Sequence, residues 1–254
     1  MIGLFDSGLG GLTVVRRVRE RLPESDLLFF ADQAHVPYGD RTPEELRTLL
    51  AHNLEWLDDR GVDAIVMACN TSCAIADRYG WPSTRATIID LIDSATLAVE
   101  RSGFRRIGIV ATAATVRSEA YPRRIRERVP GVEVFQVAAP ALVPMVEAGR
   151  IEGAEPRAAV AAVCAELPKG LDAVILACTH YPVLDEHFAA VFGESIVRID
   201  PAVLQAERVA DLLEARGVAR ENGRTQYVTN GDLAAFRTNV ARLMGEAEPV
   251  AMVR

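Results

Sequence analysis

The sequence predicts an α/β protein made of two pseudo-symmetric doubly wound domains, with the active site between them. Three observations carry this expectation. Short apolar runs rich in Ile, Val, Leu and Phe alternate with longer stretches of helical spacing, the pattern of a parallel sheet covered by helices. The segment GVDAIVMACNT at residues 61–71 returns as GLDAVILACTH at residues 170–180, with Gly, Asp, Ala, Ala and Cys in matching places. Ile2-Gly3-Leu4 against Ile107-Gly108-Ile109, and Val36-Pro37 against Val143-Pro144, keep nearly the same separation, so the repeat extends well beyond one motif.

Taken in order, the first strand is expected over Ile2 to Asp6, followed by a Gly-rich loop and a helix from Leu12 to Arg21. A second strand, Leu27 to Ala31, leads through the Pro37-Tyr38-Gly39 loop to a helix over Pro43 to Arg60, with Thr42 as its N-cap. Strands over Ala64 to Ala68 and Thr87 to Ile89 complete the first set. The second set repeats the scheme with strands over Ile107 to Ala111, Val132 to Ala138, Ala173 to Ala177 and Ile196 to Ile199. A last strand, Gln226 to Thr229, and a helix over Asp232 to Leu243 close the chain. The repeat places a boundary between Ile92 and Glu100, and Ile199 to Gln205 is expected to cross back. One domain would comprise residues 1–95 plus 206–254, and the other residues 96–205.

Composition narrows the function. With 254 residues, half of them apolar, the chain can bury a full core and is not expected to be disordered. A net charge of −7, with arginines scattered rather than clustered, argues against a nucleic-acid partner. No apolar run approaches the roughly 20 residues that span a bilayer, so no membrane association is expected and the protein reads as cytoplasmic. The four cysteines, Cys69, Cys73, Cys164 and Cys178, are too few for a disulfide scaffold and suit a reducing compartment. The single lysine, Lys169, lies in a Pro-Lys-Gly turn, a poor place for the Schiff base of a pyridoxal-phosphate enzyme. Gly8, Gly10 and Gly11 precede a helix, but Thr13 stands where a dinucleotide motif needs its last glycine. No cofactor and no metal are expected, since the Cys-x3-Cys and Cys-x-His spacings fit zinc modules poorly.

Cys69 and Cys178 each follow an apolar strand and are expected to precede a helix, where open α/β sheets place their ligand crevices and where the helix dipole lowers a thiol pKa. Either alone reads equally well as a packed apolar side chain. Their equivalence under the repeat favours two thiols facing one small molecule from opposite sides. That is the geometry of racemisation: one thiolate removes an α-proton while the other thiol delivers a proton to the opposite face. Asn70, Thr71, Thr179 and Ser7 could bind a carboxylate, or simply cap helices. Asp6, Asp32, Glu147 and His180 are placed to tune the thiols or relay protons, with ordinary loop or surface roles as the alternative for each. Cys73 and Cys164 read as packing.

The stretches FDSGLGG, FFADQAHVPYGDRTPEE, ACNTS, PALVPMVEAG, ACTHYPVL, IDPA and NGDLAAF resemble the motifs of the bacterial glutamate racemase family, nearly end to end. The resemblance implies two α/β domains with the site between them, no cofactor, a homodimer, and D-glutamate supply for peptidoglycan synthesis. It implies that Cys69 acts on the D-enantiomer with Asp6 assisting and Cys178 on the L-enantiomer with His180 assisting, with Asp32 and Glu147 on further acidic positions. It places Ser7, Pro37, Tyr38, Gly39, Asn70, Thr71, Thr115 and Thr179 around the amino-acid substrate. The stretch IIDLIDSAT at residues 88–96 departs from the family's usual Gly and Glu-Pro-Gly, which directs any difference to the hinge, dimer packing or activator response. The competing readings are the same chemistry on aspartate or another acidic amino acid, a one-cysteine hydrolase, isomerase or decarboxylase, and a binding protein without turnover.

Overall fold

A computed structural model describes residues 1–217, 222–245 and 250–253. The chain begins with β1 (Ile2–Asp6), α1 (Gly11–Arg21), β2 (Leu27–Ala31), α2 (Pro43–Asp58), β3 (Ala64–Met67), α3 (Asn70–Tyr79) and β4 (Thr87–Asp90). Helix α4 (Leu91–Ser102) carries it to β5 (Arg106–Ala111), α5 (Ala113–Ser118), α6 (Ala120–Arg128), β6 (Glu133–Ala138), α7 (Leu142–Glu147) and α8 (Ala154–Cys164). Then come β7 (Ala173–Ala177), α9 (Asp185–Phe192) and β8 (Val197–Ile199), before α10 (Pro201–Ala215) returns to β9 (Thr225–Thr229), α11 (Leu233–Met244) and β10 (Val250–Met252).

The strands form two parallel sheets, one ordered β10-β9-β2-β1-β3-β4 and the other β6-β5-β7-β8. Strands two, one, three and four of each half thus lie side by side in the same order, the topology that the sequence repeat predicts. The repeat also reaches the packing. A Cβ on Gly3, in β1, would come within 3.2 Å of Val62, and one on Gly108, in β5, within 2.8 Å of Leu171. Val62 and Leu171 are the second residues of the two repeated segments, so each central strand needs a glycine where the preceding loop crowds it.

Helix starts follow the expected chemistry where polar caps exist. Thr42 and Glu45 form a reciprocal capping box at α2, and Asp90, Thr112, Asp200 and Asp232 cap α4, α5, α10 and α11. Two sequence expectations differ. β10 was not foreseen, being three residues long and partly exposed. Cys178 does not precede an α-helix: a single turn of 3₁₀-helix, Tyr181–Leu184, intervenes before α9. The expected division points at residues 95/96 and 205/206 fall inside α4 and α10, and residues 218–221, 246–249 and 254 of the expected first unit lie outside the described residues. Among the described residues no helix is long and apolar enough to cross a membrane.

Candidate active site

Strands β1 and β3 of the larger sheet and β7 of the smaller one end at a common seam between the halves. Asp6 is the last residue of β1, Cys69 caps α3 just beyond β3, and Cys178 follows β7 directly. Crevices form at such strand ends because the chain must turn there, leaving side chains and loop amides to face a ligand. Both thiols are buried and free. Each has its own polar partner: the Cys69 thiol donates to Ser7 Oγ at 3.6 Å, and Cys178 Sγ lies 3.6 Å from His180 Nδ1.

The seam is stitched by the residues that surround the thiols. Thr179 Oγ1 donates to Asp6 Oδ2 at 3.3 Å, and Asp6 also accepts from the Gly11 amide at the start of α1. Thr13 donates to the Thr179 carbonyl at 3.0 Å. Glu147 accepts from the Leu9 amide at 3.1 Å and holds His180 Nε2 at 2.6 Å, so Cys178, His180 and Glu147 form a continuous chain. A Cβ on Gly10 would lie 2.5 Å from both His180 Nδ1 and Thr179 Oγ1, and one on Gly8 would lie 2.9 Å from Glu147 Oε1. The Gly-rich loop is therefore needed for close approach across the seam, not for a phosphate. On the far side Tyr121 donates to Asn70 Oδ1 at 2.5 Å, Thr71 and Thr112 hydroxyls are 3.4 Å apart, and Arg117 reaches the Gly39 carbonyl at 3.4 Å.

Electrostatics separate the acidic groups. Burial pushes the Asp6 carboxyl up to about 6, although His180 and the Ser7 and Gly11 amides favour its charged form. Burial and the neighbouring Asp6 carboxylate push the Cys69 thiol up to about 12, although Ser72 and Ser7 lie where they favour its charged form. This corrects the expectation that a helix N-terminus lowers it: desolvation in a closed site outweighs the dipole. For His180, burial opposes the charged ring, but hydrogen bonds to Cys178 and Glu147 prevail and hold it well above its ordinary value. Burial would raise Glu147, yet His180 and the Leu9 amide carry it below the usual carboxylate range.

Of the residues singled out from sequence, Asp6, Ser7, Cys69, Asn70, Thr71, Glu147, Cys178, Thr179 and His180 come together at this seam. Asp32 lies in a separate hydrogen-bond cluster. It is fully buried and accepts from Tyr38 Oη, Asn53 Nδ2, His35 Nδ1 and Asn230 Nδ2, which fixes the loop carrying Pro37, Tyr38 and Gly39. Pro37 is exposed and follows a cis peptide bond. Thr115 is buried and accepts from Thr112 Oγ1 at 3.0 Å, within the cap of α5. Sequence reasoning missed Thr13, Asn53, Thr112, Tyr121 and Asn230. Asn53 could have been found, since it interrupts the apolar stripe Leu46, Leu50, Leu54 and Leu57 with a buried amide. Asn230 lies in the NGDLAAF stretch already singled out. Among the described residues no group of three or more His, Cys, Asp or Glu is placed to hold a metal ion.

A cleft of about 700 Å³ is lined by Thr13, Arg16, Pro182, His187 and Arg242 among others, and neither cysteine lines it. Cys69 and Cys178 are only 4% and 5% exposed.

Comparisons with known proteins place the chain among racemases. The chain is 39% identical over 237 residues to a glutamate racemase of Gloeobacter violaceus, covering 93% of this chain and 89% of that one. Its structure resembles a glutamate racemase from Bacillus anthracis with a TM-score of 0.94 at 27% identity, covering 100% and 97% of the two chains. It also resembles a glutamate racemase from Francisella tularensis in complex with D-glutamate, with a TM-score of 0.90 at 28% identity and the same coverage. The model of the Asp/Glu/Hydantoin racemase family matches residues 12–209, and the chain belongs to that family.

Proposed function

We propose that the protein interconverts L-glutamate and D-glutamate without a cofactor, using Cys69 and Cys178 as the two acid–base groups. One observation carries this reading: two buried thiols follow corresponding strands, β3 and β7, of two sheets that share a core strand order, and meet the same seam, each with a separate polar partner. In one direction the Cys69 thiolate takes the α-proton of D-glutamate while the Cys178 thiol gives its proton to the opposite face. The reverse reaction exchanges the roles, and no net proton is consumed. Thr71, Thr179 and Asn70, with the amides that start α3, are positioned to hold the substrate carboxylate as charge develops on it.

Burial resists ionisation of Cys69. Burial raises both groups, and the Asp6 charge further opposes a thiolate at Cys69. Asp6 alone therefore cannot activate the thiol, and the α-ammonium of the bound amino acid supplies the missing positive charge. His180, held by Glu147, does the equivalent for Cys178 from the protein itself. Asp32 acts as the anchor of the Tyr38-Gly39 loop rather than as a proton carrier.

Glutamate is chosen over aspartate on the relatives' activity. We take the protein to be a cytoplasmic homodimer that supplies D-glutamate to peptidoglycan synthesis, with its halves dividing at residues 95/96 and 205/206. The deciding experiment measures α-deuterium incorporation in heavy water across amino acids, without added cofactor. Glutamate is expected to exchange and racemise; exchange of aspartate alone would overturn the substrate assignment. Cys69→Ser and Cys178→Ser are each expected to abolish racemisation, with residual exchange confined to one enantiomer, and full activity in either variant would eliminate the two-base mechanism.

A further inference from the structure

Ser72 is the third residue of α3, next to the turn that Cys69 caps. It is 1% exposed, and its hydroxyl has no hydrogen-bond partner. Leaving a buried hydroxyl unpaired costs about 1–3 kcal/mol, so such a group calls for a physical reason. Its neighbours are all engaged: Asn70 accepts from Tyr121, Thr71 meets Thr112, and the Cys73 thiol points to the Met67 carbonyl. The Cys69 sulfur spends its one proton on Ser7. As a neutral thiol it is a weak acceptor, and as a thiolate it becomes a strong one. The Ser72 hydroxyl and amide are both among the groups that favour the thiolate.

We propose that Ser72 is a positioning residue for the base at Cys69, its hydroxyl unpaired while the sulfur carries a proton and donating to it once the proton has left. The proposal rests on the reading of Cys69 as a base. It gives the unsatisfied hydroxyl a role in the state that the structure does not occupy. It also makes the two halves unequal. The corresponding residue after Cys178 is Tyr181, whose hydroxyl is committed to the Ala139 carbonyl at 3.0 Å, and His180 serves that thiol instead. One thiolate is thus held by hydroxyls and the other by an imidazole.

The other titratable groups around Cys69 are Asp6 from β1, Tyr38 from the loop after β2, and Cys73 on its own helix, and Ser72→Ala alters none of them. The test is alkylation of the full-length protein by iodoacetamide at pH 8, quantified separately at Cys69 and Cys178 by mass spectrometry. Loss of a hydrogen bond to a charged sulfur lowers the thiolate fraction about tenfold, partly offset by the greater nucleophilicity of a more basic thiolate. Ser72→Ala is therefore expected to slow Cys69 severalfold relative to Cys178, which serves as the internal reference for site opening. Because a merely structural serine would change stability instead, the melting temperature is measured alongside and is expected to stay level or rise. An unchanged ratio of the two rates overturns the proposal. If Cys69→Ser kept full racemase activity, the parent reading would fall first, so the two failures are distinguishable.

Discussion

Asp6 carries a charge in a place that water does not reach, and that has a consequence for stability as well as chemistry. Its carboxyl titrates near 6 in the folded protein, raised chiefly by burial, and near its ordinary value when the chain unfolds. A folded-state pKa above the unfolded one means that the native state binds the proton more tightly, so stability falls as pH rises from about 4 to about 6 and stays reduced above that. The cost at neutral pH is about 3 kcal/mol, since the group is 1% exposed and little screened. Asp6→Asn keeps an acceptor for Gly11 and Thr179 without the charge. It is expected to melt higher than the native protein at pH 8 and no higher at pH 4, while losing activity. Equal melting at both pH values would show that the carboxylate is not penalised. His180 adds a second window with the opposite origin: its ring is stabilised in the charged form by Cys178 and Glu147 once burial is overcome. That contribution is complete below about 6.5 and is lost as pH rises through the higher folded-state value.

At the scale of elements, the loop between β1 and α1 decides how closely the halves meet. Gly10 has φ −56° and ψ −35°, which alanine adopts without strain, so only space argues for glycine there. A methyl group would press on His180 and Thr179 at 2.5 Å. Gly10→Ala is expected to cost about 1–3 kcal/mol of stability and to lower kcat/KM at least tenfold, whereas Gly39→Ala, whose Cβ finds nothing nearer than 4.0 Å, should be stable. Equal melting temperatures of the two variants would argue against the close approach. This loop also marks where sequence reading stops. The parallel strands, the duplication and the place of Cys69 and Cys178 just beyond corresponding strands were legible, because buried strands have continuous apolar runs and a duplication repeats its landmarks. The Gly-rich loop was readable only as a failed nucleotide motif, since its real partners, His180 and Glu147, are far away in the chain. The rise of the Cys69 pKa was hidden for the same reason: helix position is local and visible, whereas desolvation depends on how two halves close. Asp32 was grouped with the site because its strand end points there, but its four donors come from α2, the β9–α11 loop and its own loop.

For the whole molecule, closure and catalysis are the same event, because the hydrogen bonds that join the halves are made by the residues around the thiols. Asp6, Cys69, Cys178 and His180 are all buried, and parting of the halves would open them to an amino acid. The frame that resists or permits this is formed by α4, α6 and α10, and its centre is Asp93, in the stretch where the sequence departs from the family pattern. Asp93 binds Arg208 of α10 at 2.6 Å and Arg128 of α6 at 3.3 Å, with Arg124 at 3.9 Å. Arg124 continues to Asp77 of α3 and Arg128 to Glu100 of α4, so one carboxylate joins elements from both halves. Isolated surface pairs contribute little, but a partly buried carboxylate shared by three guanidinium groups is a network, and its removal leaves like charges facing one another. Asp93→Asn is expected to destabilise the protein by about 1–2 kcal/mol at low ionic strength, and by less in 1 M salt, where the Debye length shortens to about 3 Å. A looser frame populates the closed form less, so KM should rise for both enantiomers. The two enantiomers have equal free energy in water, which holds the equilibrium constant at unity and requires kcat/KM to fall by the same factor in each direction. A salt-independent loss of stability, or an unchanged KM for both enantiomers, would detach Asp93 from the hinge.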